Sequence, residues 1–188
     1  MGTSLRKLNI FVSCPSDVTK YRDAVYKWSA ERRKHYERDQ GIFVNVTSFK
    51  EVPTGLALDG EQALIDDFYK DQFDIYLGLM AARFGTPTKN FGSGTEQEYY
   101  QAINKILTSR APKAVLFEFS NEKIDPYTVD WEQFSKVKEF KQSLAGQQVY
   151  FEWDSMTSFR EKVSNDLEAA IYSMTHDANW AIPGGLKY

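Results

Sequence analysis

The sequence predicts an α/β fold, a mostly parallel sheet of five strands with helices on both faces. Three observations lead there. Five short apolar runs, rich in β-branched and aromatic residues, recur along the 188 residues. Polar segments and segments with helix-spaced apolar residues separate them, so strand and helix alternate, as in parallel sheets built with right-handed crossovers. One run, "FDIYLGLM" at 73–80, is apolar at nearly every position, as a strand covered on both faces must be.

The elements follow in order. "LNIFVS" at 8–13 reads as a buried strand, ended by the loop that Pro15 begins. Ser16 or Asp17 caps a helix running to about residue 39, with Gly41 as its stop. Val18, Tyr21, Ala24, Val25 and Trp28 form its apolar face, and "ERRKHYER" at 31–38 its solvated end. "IFVNVTSF" at 42–49 is the second strand, and "KEVPTGLALDG" at 50–60 a loop broken by Pro53, Gly55 and Gly60. Asp59 and Gln62 have capping-box spacing for a helix over about 61–70. The central strand at 73–80 leads into a glycine-rich loop, "AARFGTPTKNFGSG", and a helix over 95–107. "KAVLFEF" at 113–119 is the fourth strand, 121–146 mixes loop with a short helix, and "QQVYFEW" at 147–153 is the fifth strand. Asp154 or Ser155 caps a last helix to about residue 174. The whole reads as one domain, 1–188, with its core at about 8–174 and an irregular tail or linker from 175.

Composition removes several function classes. Lys+Arg number 23 against Asp+Glu 26, a net charge of −3 that gives no whole-protein pull toward nucleic acid or anionic membrane. Cys14 is the only cysteine, so an internal disulfide is excluded. Only His35 and His176 could join it in a Cys/His metal cluster, so no metal site is expected. No apolar run spans a bilayer, and "MGTSLRKLNIFVS" lacks the long apolar segment of a signal peptide, which leads us to expect a cytoplasmic protein. There is no G-x-S-x-G, no Walker loop and no G-x-G-x-x-G after a strand.

What remains is chemistry that a carboxylate can carry. In this type of fold, ligands bind outside the carboxyl ends of the strands, here the loops after Ser13, Phe49, Met80 and Phe119. "FGSGTEQEYYQAI" at 91–103 belongs to that rim and carries Glu96 and Glu98 on the first helical turn. Thr95 and Glu98 have the T-x-x-E spacing of a capping box, and Glu96 suits the positive end of a helix dipole. Against mere capping stand three things: the rim position, the glycines 85, 92 and 94 that allow close approach to a ligand, and Phe84 and Tyr99, aromatics able to stack on a base. Arg83 is either an ordinary ion-pairing arginine or a phosphate contact.

Taken together, "NIFVSCPSD", "FDIYLGLMAARFG" and "GTEQEYYQAI" resemble, in order and spacing, the TIR-domain superfamily, and within it a bacterial TIR-like branch at the N-termini of large multidomain defence proteins. The resemblance covers about 8–174 and implies a flavodoxin-like, TIR-like sheet. In catalytic TIR domains, a helix glutamate followed four positions later by a small residue cleaves the N-glycosidic bond of NAD, and Glu98 with Ala102 matches that spacing. The resemblance therefore implies NAD as substrate rather than cofactor and Glu98 as the catalytic residue. Ser13, Arg83, Phe84, Gly94 and Tyr99 would lie around the substrate. It implies an antiphage effector switched on by self-association, partly through the loop at 50–60, under a fused or separate sensor. "SGTEQEYYQA" is also similar to the G-T-x-x-E-x-x-x-A pattern of nucleoside deoxyribosyltransferases, whose glutamate attacks the sugar. A non-enzymatic TIR-like interaction module, with Glu98 only starting a helix, is the third reading.

Overall fold

The computed structural model describes residues 5–49, 73–109, 112–146 and 150–176. Along them run β1 (Arg6–Ser13), a 3₁₀ turn (Ser16–Val18), α1 (Thr19–Gln40), β2 (Ile42–Ser48), β3 (Ile75–Met80), α2 (Gly94–Ser109), β4 (Ala114–Ser120), α3 (Trp131–Leu144), β5 (Phe151–Trp153) and α4 (Met156–Thr175). The strands make one sheet in the order β2-β1-β3-β4-β5, and every pairing is parallel. The α/β class with a parallel sheet is as the sequence reads. The expected helix over 61–70, the loop at 50–60, the first residues of the expected fifth strand (147–149) and the tail from 177 lie outside the described residues.

Side-chain alternation assigns the two faces. Leu8, Ile10 and Val12 of β1 meet Val25 and Trp28 of α1, with Phe159, Val163 and Leu167 of α4 completing that core. On the opposite face, Phe11, Tyr76, Phe117 and Phe119 meet Tyr99 and Ala102 of α2 and Val137 and Phe140 of α3. Right-handed crossovers account for the division. The chain steps from β1 outward to β2, but from β3 through β4 to β5 in the other direction, so α1 falls on one face and α2 and α3 on the other. β1 and β3 therefore separate chains that leave in opposite directions. The crevice at their carboxyl ends, where Ser13 pairs with Gly78, is the topological switch point. Gly78 is required there for packing, because a Cβ would sit 2.3 Å from the Phe117 ring.

Two helix starts differ from expectation. Neither the 3₁₀ turn nor α1 has a side-chain cap, so Ser16 and Asp17 do not do what their position suggests. The Asp17 carboxylate crosses to the loop after β3 and accepts from the backbone N–H groups of Ala82 and Arg83, both at 2.9 Å. Gly41 does end α1, in a left-handed conformation (φ 65°), its N–H donating to the Tyr36 carbonyl. α3 is a full helix of 14 residues rather than a short one, capped by Asp130, which accepts from the N–H groups of Glu132 and Gln133. Its buried stripe is thin, Val137, Phe140 and Leu144, about one apolar residue per turn. So sparse a stripe is easily read as loop.

Candidate active site

Ser13 lies two residues past Phe11 and so shares its side of the sheet, the side that α2 covers. There its hydroxyl donates a short hydrogen bond to the Glu98 carboxylate. The last residue of β1 and the first turn of α2 thus meet across the switch point. Glu98 itself is half-buried, between the buried Gln97 and Tyr99.

The head of α2 explains why Glu98 can do this. The helix begins at Gly94, and Ser93 caps it: the Ser93 hydroxyl accepts from the Glu96 N–H at 3.1 Å, and its carbonyl from the Gln97 N–H at 3.0 Å. Glu96 reaches back to accept from the Gly92 N–H at 2.8 Å. This is capping-box chemistry, with the glutamate bonding one residue further back than usual. It corrects the expected Thr95–Glu98 frame: the box closes two residues earlier, with Ser93 and Glu96. The physical reason is that serine outranks threonine as a cap, and Ser93 and Glu96 carry the same S/T-x-x-E spacing. Capping falls to Glu96, and the Glu98 side chain turns to β1 instead.

A third residue ties the turn down. Tyr76 on β3 is fully buried, and its hydroxyl donates to the Thr95 carbonyl at 3.1 Å. Burial, with the nearby Glu98 charge as a second cause, holds its phenol well above its usual range, so it stays neutral. Sequence reading missed Tyr76 because a tyrosine inside an apolar strand looks like core. Cys14, next to Ser13, faces the opposite core. Burial pushes its thiol up to about 12, the Arg22 charge opposing and the Glu98 charge adding, so it offers no thiolate nucleophile.

The structure gathers only part of the expected set. Ser13 and Glu98 are in contact, and Gly94 is the first residue of the helix that carries Glu98. Phe84 and Tyr99 are core residues instead of an open stacking platform: both rings pack edge-on against Phe140, at 5.8 and 5.6 Å. Arg83 is exposed and lines a separate cavity of about 330 Å³ with Asp17, between the loops after β3 and β4. Gln133 of α3 completes that loop's support, its side-chain oxygen accepting from the N–H groups of Phe84 (3.0 Å) and Gly85 (2.9 Å). Among the described residues, no group of three or more His, Cys, Asp or Glu could hold a metal ion, and no helix is long and apolar enough to cross a membrane.

Chemically, the arrangement is an oriented carboxylate at a strand-end crevice, with the Ser13 hydroxyl donating to it and a neutral phenol behind it. Such a group can stabilise positive charge developing on a ligand, or attack it.

No curated protein matches the chain. Among solved structures, the apo form of translation elongation factor SelB from Methanococcus maripaludis is similar at a TM-score of 0.41 and 12% identity, over 93% of this chain. The chain spans 36% of that protein's length. Over residues 9–168 the sequence matches the family described as "Domain of unknown function (DUF4062)", and the chain belongs to that family.

Proposed function

We propose that this chain is a TIR-like domain that hydrolyses the N-glycosidic bond of NAD, with Glu98 as the catalytic carboxylate. The observation that carries the reading is the division of labour on α2: Glu96 caps the helix, and Glu98 is aimed at Ser13 across the switch point. A glutamate needed only to start a helix would fold back on its own first turn.

NAD suits a lone carboxylate. Its nicotinamide nitrogen already carries positive charge, so the departing ring takes the electron pair of the C–N bond and leaves neutral without a general acid. The ribose carbon becomes oxocarbenium-like, and an anion beside it is stabilising. Water then adds to that carbon and gives up a proton. Ser13 holds the carboxylate in place, and Tyr76 fixes the turn that presents it.

The resemblance to TIR domains supports a role as an antiphage effector that works when a fused or separate sensor brings copies together. The test follows from that. Wild type and Glu98→Gln are immobilised at high density and supplied with NAD. We expect wild type to release nicotinamide and Glu98→Gln, equally folded by circular dichroism, to lose roughly a hundred- to a thousandfold in rate, the cost of removing a principal charge-stabilising group. If assembled wild type leaves NAD intact but cleaves a nucleoside, the deoxyribosyltransferase-like reading replaces this one. Inertness toward both leaves a binding module.

A further inference from the structure

The cavity that contains Arg83 is built more firmly than a gap between loops, and its chemistry is specific. Its volume, about 330 Å³, is at the small end of ligand sites, which run from roughly 300 to 1,000 Å³. One nucleotide would fill it; a dinucleotide would not fit inside. It opens at the carboxyl ends of β3 and β4, beside Asp17 in the segment that follows β1.

Its walls are mostly loop, but they are fixed by hydrogen bonds. Asp17 holds the Ala82 and Arg83 amides. Asp125 accepts from the Tyr127 N–H at 3.0 Å, and the Val129 N–H donates to the Asp125 carbonyl at 3.1 Å. Asp130 caps α3. In each of the three aspartates a single carboxylate oxygen makes these bonds, and among the described residues the other has no protein donor. The fourth acid of the lining, Glu122, pairs with Lys20 at 3.4 Å. The two cations of the lining, Arg83 and Lys123, have no ion-pair partner among the described residues. Ile124 and Val129 supply an apolar wall.

Carboxylates in a cavity wall take hydroxyl donors; a guanidinium and an ammonium without ion-pair partners take a phosphate. A sugar phosphate satisfies both sets at once. We propose that this cavity binds the phosphorylated ribose of a mononucleotide unit, with Arg83 and Lys123 on the phosphate and the aspartates on the ribose hydroxyls. The inference rests on the NAD reading in one respect: the unit is then one phosphorylated ribose of the dinucleotide. The substrate class narrows accordingly, to nucleotides over free nucleosides.

The experiment is calorimetric titration of this chain with AMP and with adenosine, for wild type, Arg83→Ala, Lys123→Ala and the double variant. Both residues are exposed, so the variants keep the fold, which circular dichroism checks. We expect AMP to bind wild type at least tenfold more tightly than adenosine, each single variant to lose severalfold, and the double variant to bind AMP no better than adenosine. Equal binding of AMP and adenosine by wild type, or AMP binding untouched in the double variant, overturns the proposal. NAD turnover on the same proteins separates the two readings. AMP binding that depends on Arg83 and Lys123, with no NAD consumed by assembled protein, removes the NADase reading and keeps the cavity. NAD consumption that needs Glu98 but is unchanged in the double variant does the reverse.

Discussion

Glu96 and Glu98 stand two residues apart on a helix of about 100° per residue, which sets their side chains roughly 200° apart around its axis. One therefore bends back toward the loop while the other faces the sheet, and the sequence shows both without saying which is which. The overlapping frames Ser93–Glu96 and Thr95–Glu98 have identical spacing; only the better capping of serine favours the first. Glu118 was less legible still. It lies in an apolar strand with 1% of its surface exposed and no hydrogen bond to either carboxylate oxygen. Burial pushes its carboxyl from 4.5 up to about 8, the neighbouring Asp166 adding and Lys162 opposing. Between those values the folded state keeps a proton that the unfolded chain has released. Stability from this group is therefore intact at low pH, falls as pH rises from about 4.5 to about 8, and is level beyond. The loss is on the order of 5 kcal/mol. Glu118→Gln should flatten that slope, which thermal unfolding midpoints from pH 5 to pH 9 would reveal. Parallel profiles for the two proteins would mean that Glu118 is not the proton holder.

At the scale of elements, α2 depends on Ser93, a residue wholly buried beneath its own helix start. Ser93→Ala should cost about 1 kcal/mol in urea unfolding, and an unchanged midpoint would show that the helix does not rely on that cap. The strands were legible in proportion to their apolar pattern: β1 and β3 carry dense apolar runs, and the sequence placed them within a few residues. α1 is polar over much of its length and was located by its stop at Gly41. α3 has one buried residue per turn and was underestimated. Asp17 looked like a helix cap because it follows Pro15 and precedes an amphipathic run. Nothing local announces that a loop 65 residues away will take its carboxylate. Long-range partners of polar side chains are a property of topology, which spacing does not encode.

For the molecule as a whole, strand–helix alternation was enough to predict a parallel sheet, and the sheet in turn located the crevice before any side chain was placed. The packing of the sheet is strictest beside that crevice. At Gly78, the β3 partner of Ser13, an added methyl group would overlap the Phe117 ring. Gly78→Ala should destabilise the fold by about 1–3 kcal/mol, as overpacked cores do, and Gly78→Ala with Phe117→Leu should recover part of it. A single variant as stable as wild type in urea would refute so close an approach. The loop after β3 invites one more deduction. Its glycines suggest a backbone that wraps a phosphate in peptide amides, yet the amides of Ala82 and Arg83 belong to Asp17, those of Phe84 and Gly85 to Gln133, that of Thr88 to the Phe91 carbonyl, and that of Gly92 to Glu96. Those six amides are already taken by the protein itself. Discrimination among ligands beside them therefore falls to side chains, which point mutation can rewrite one at a time.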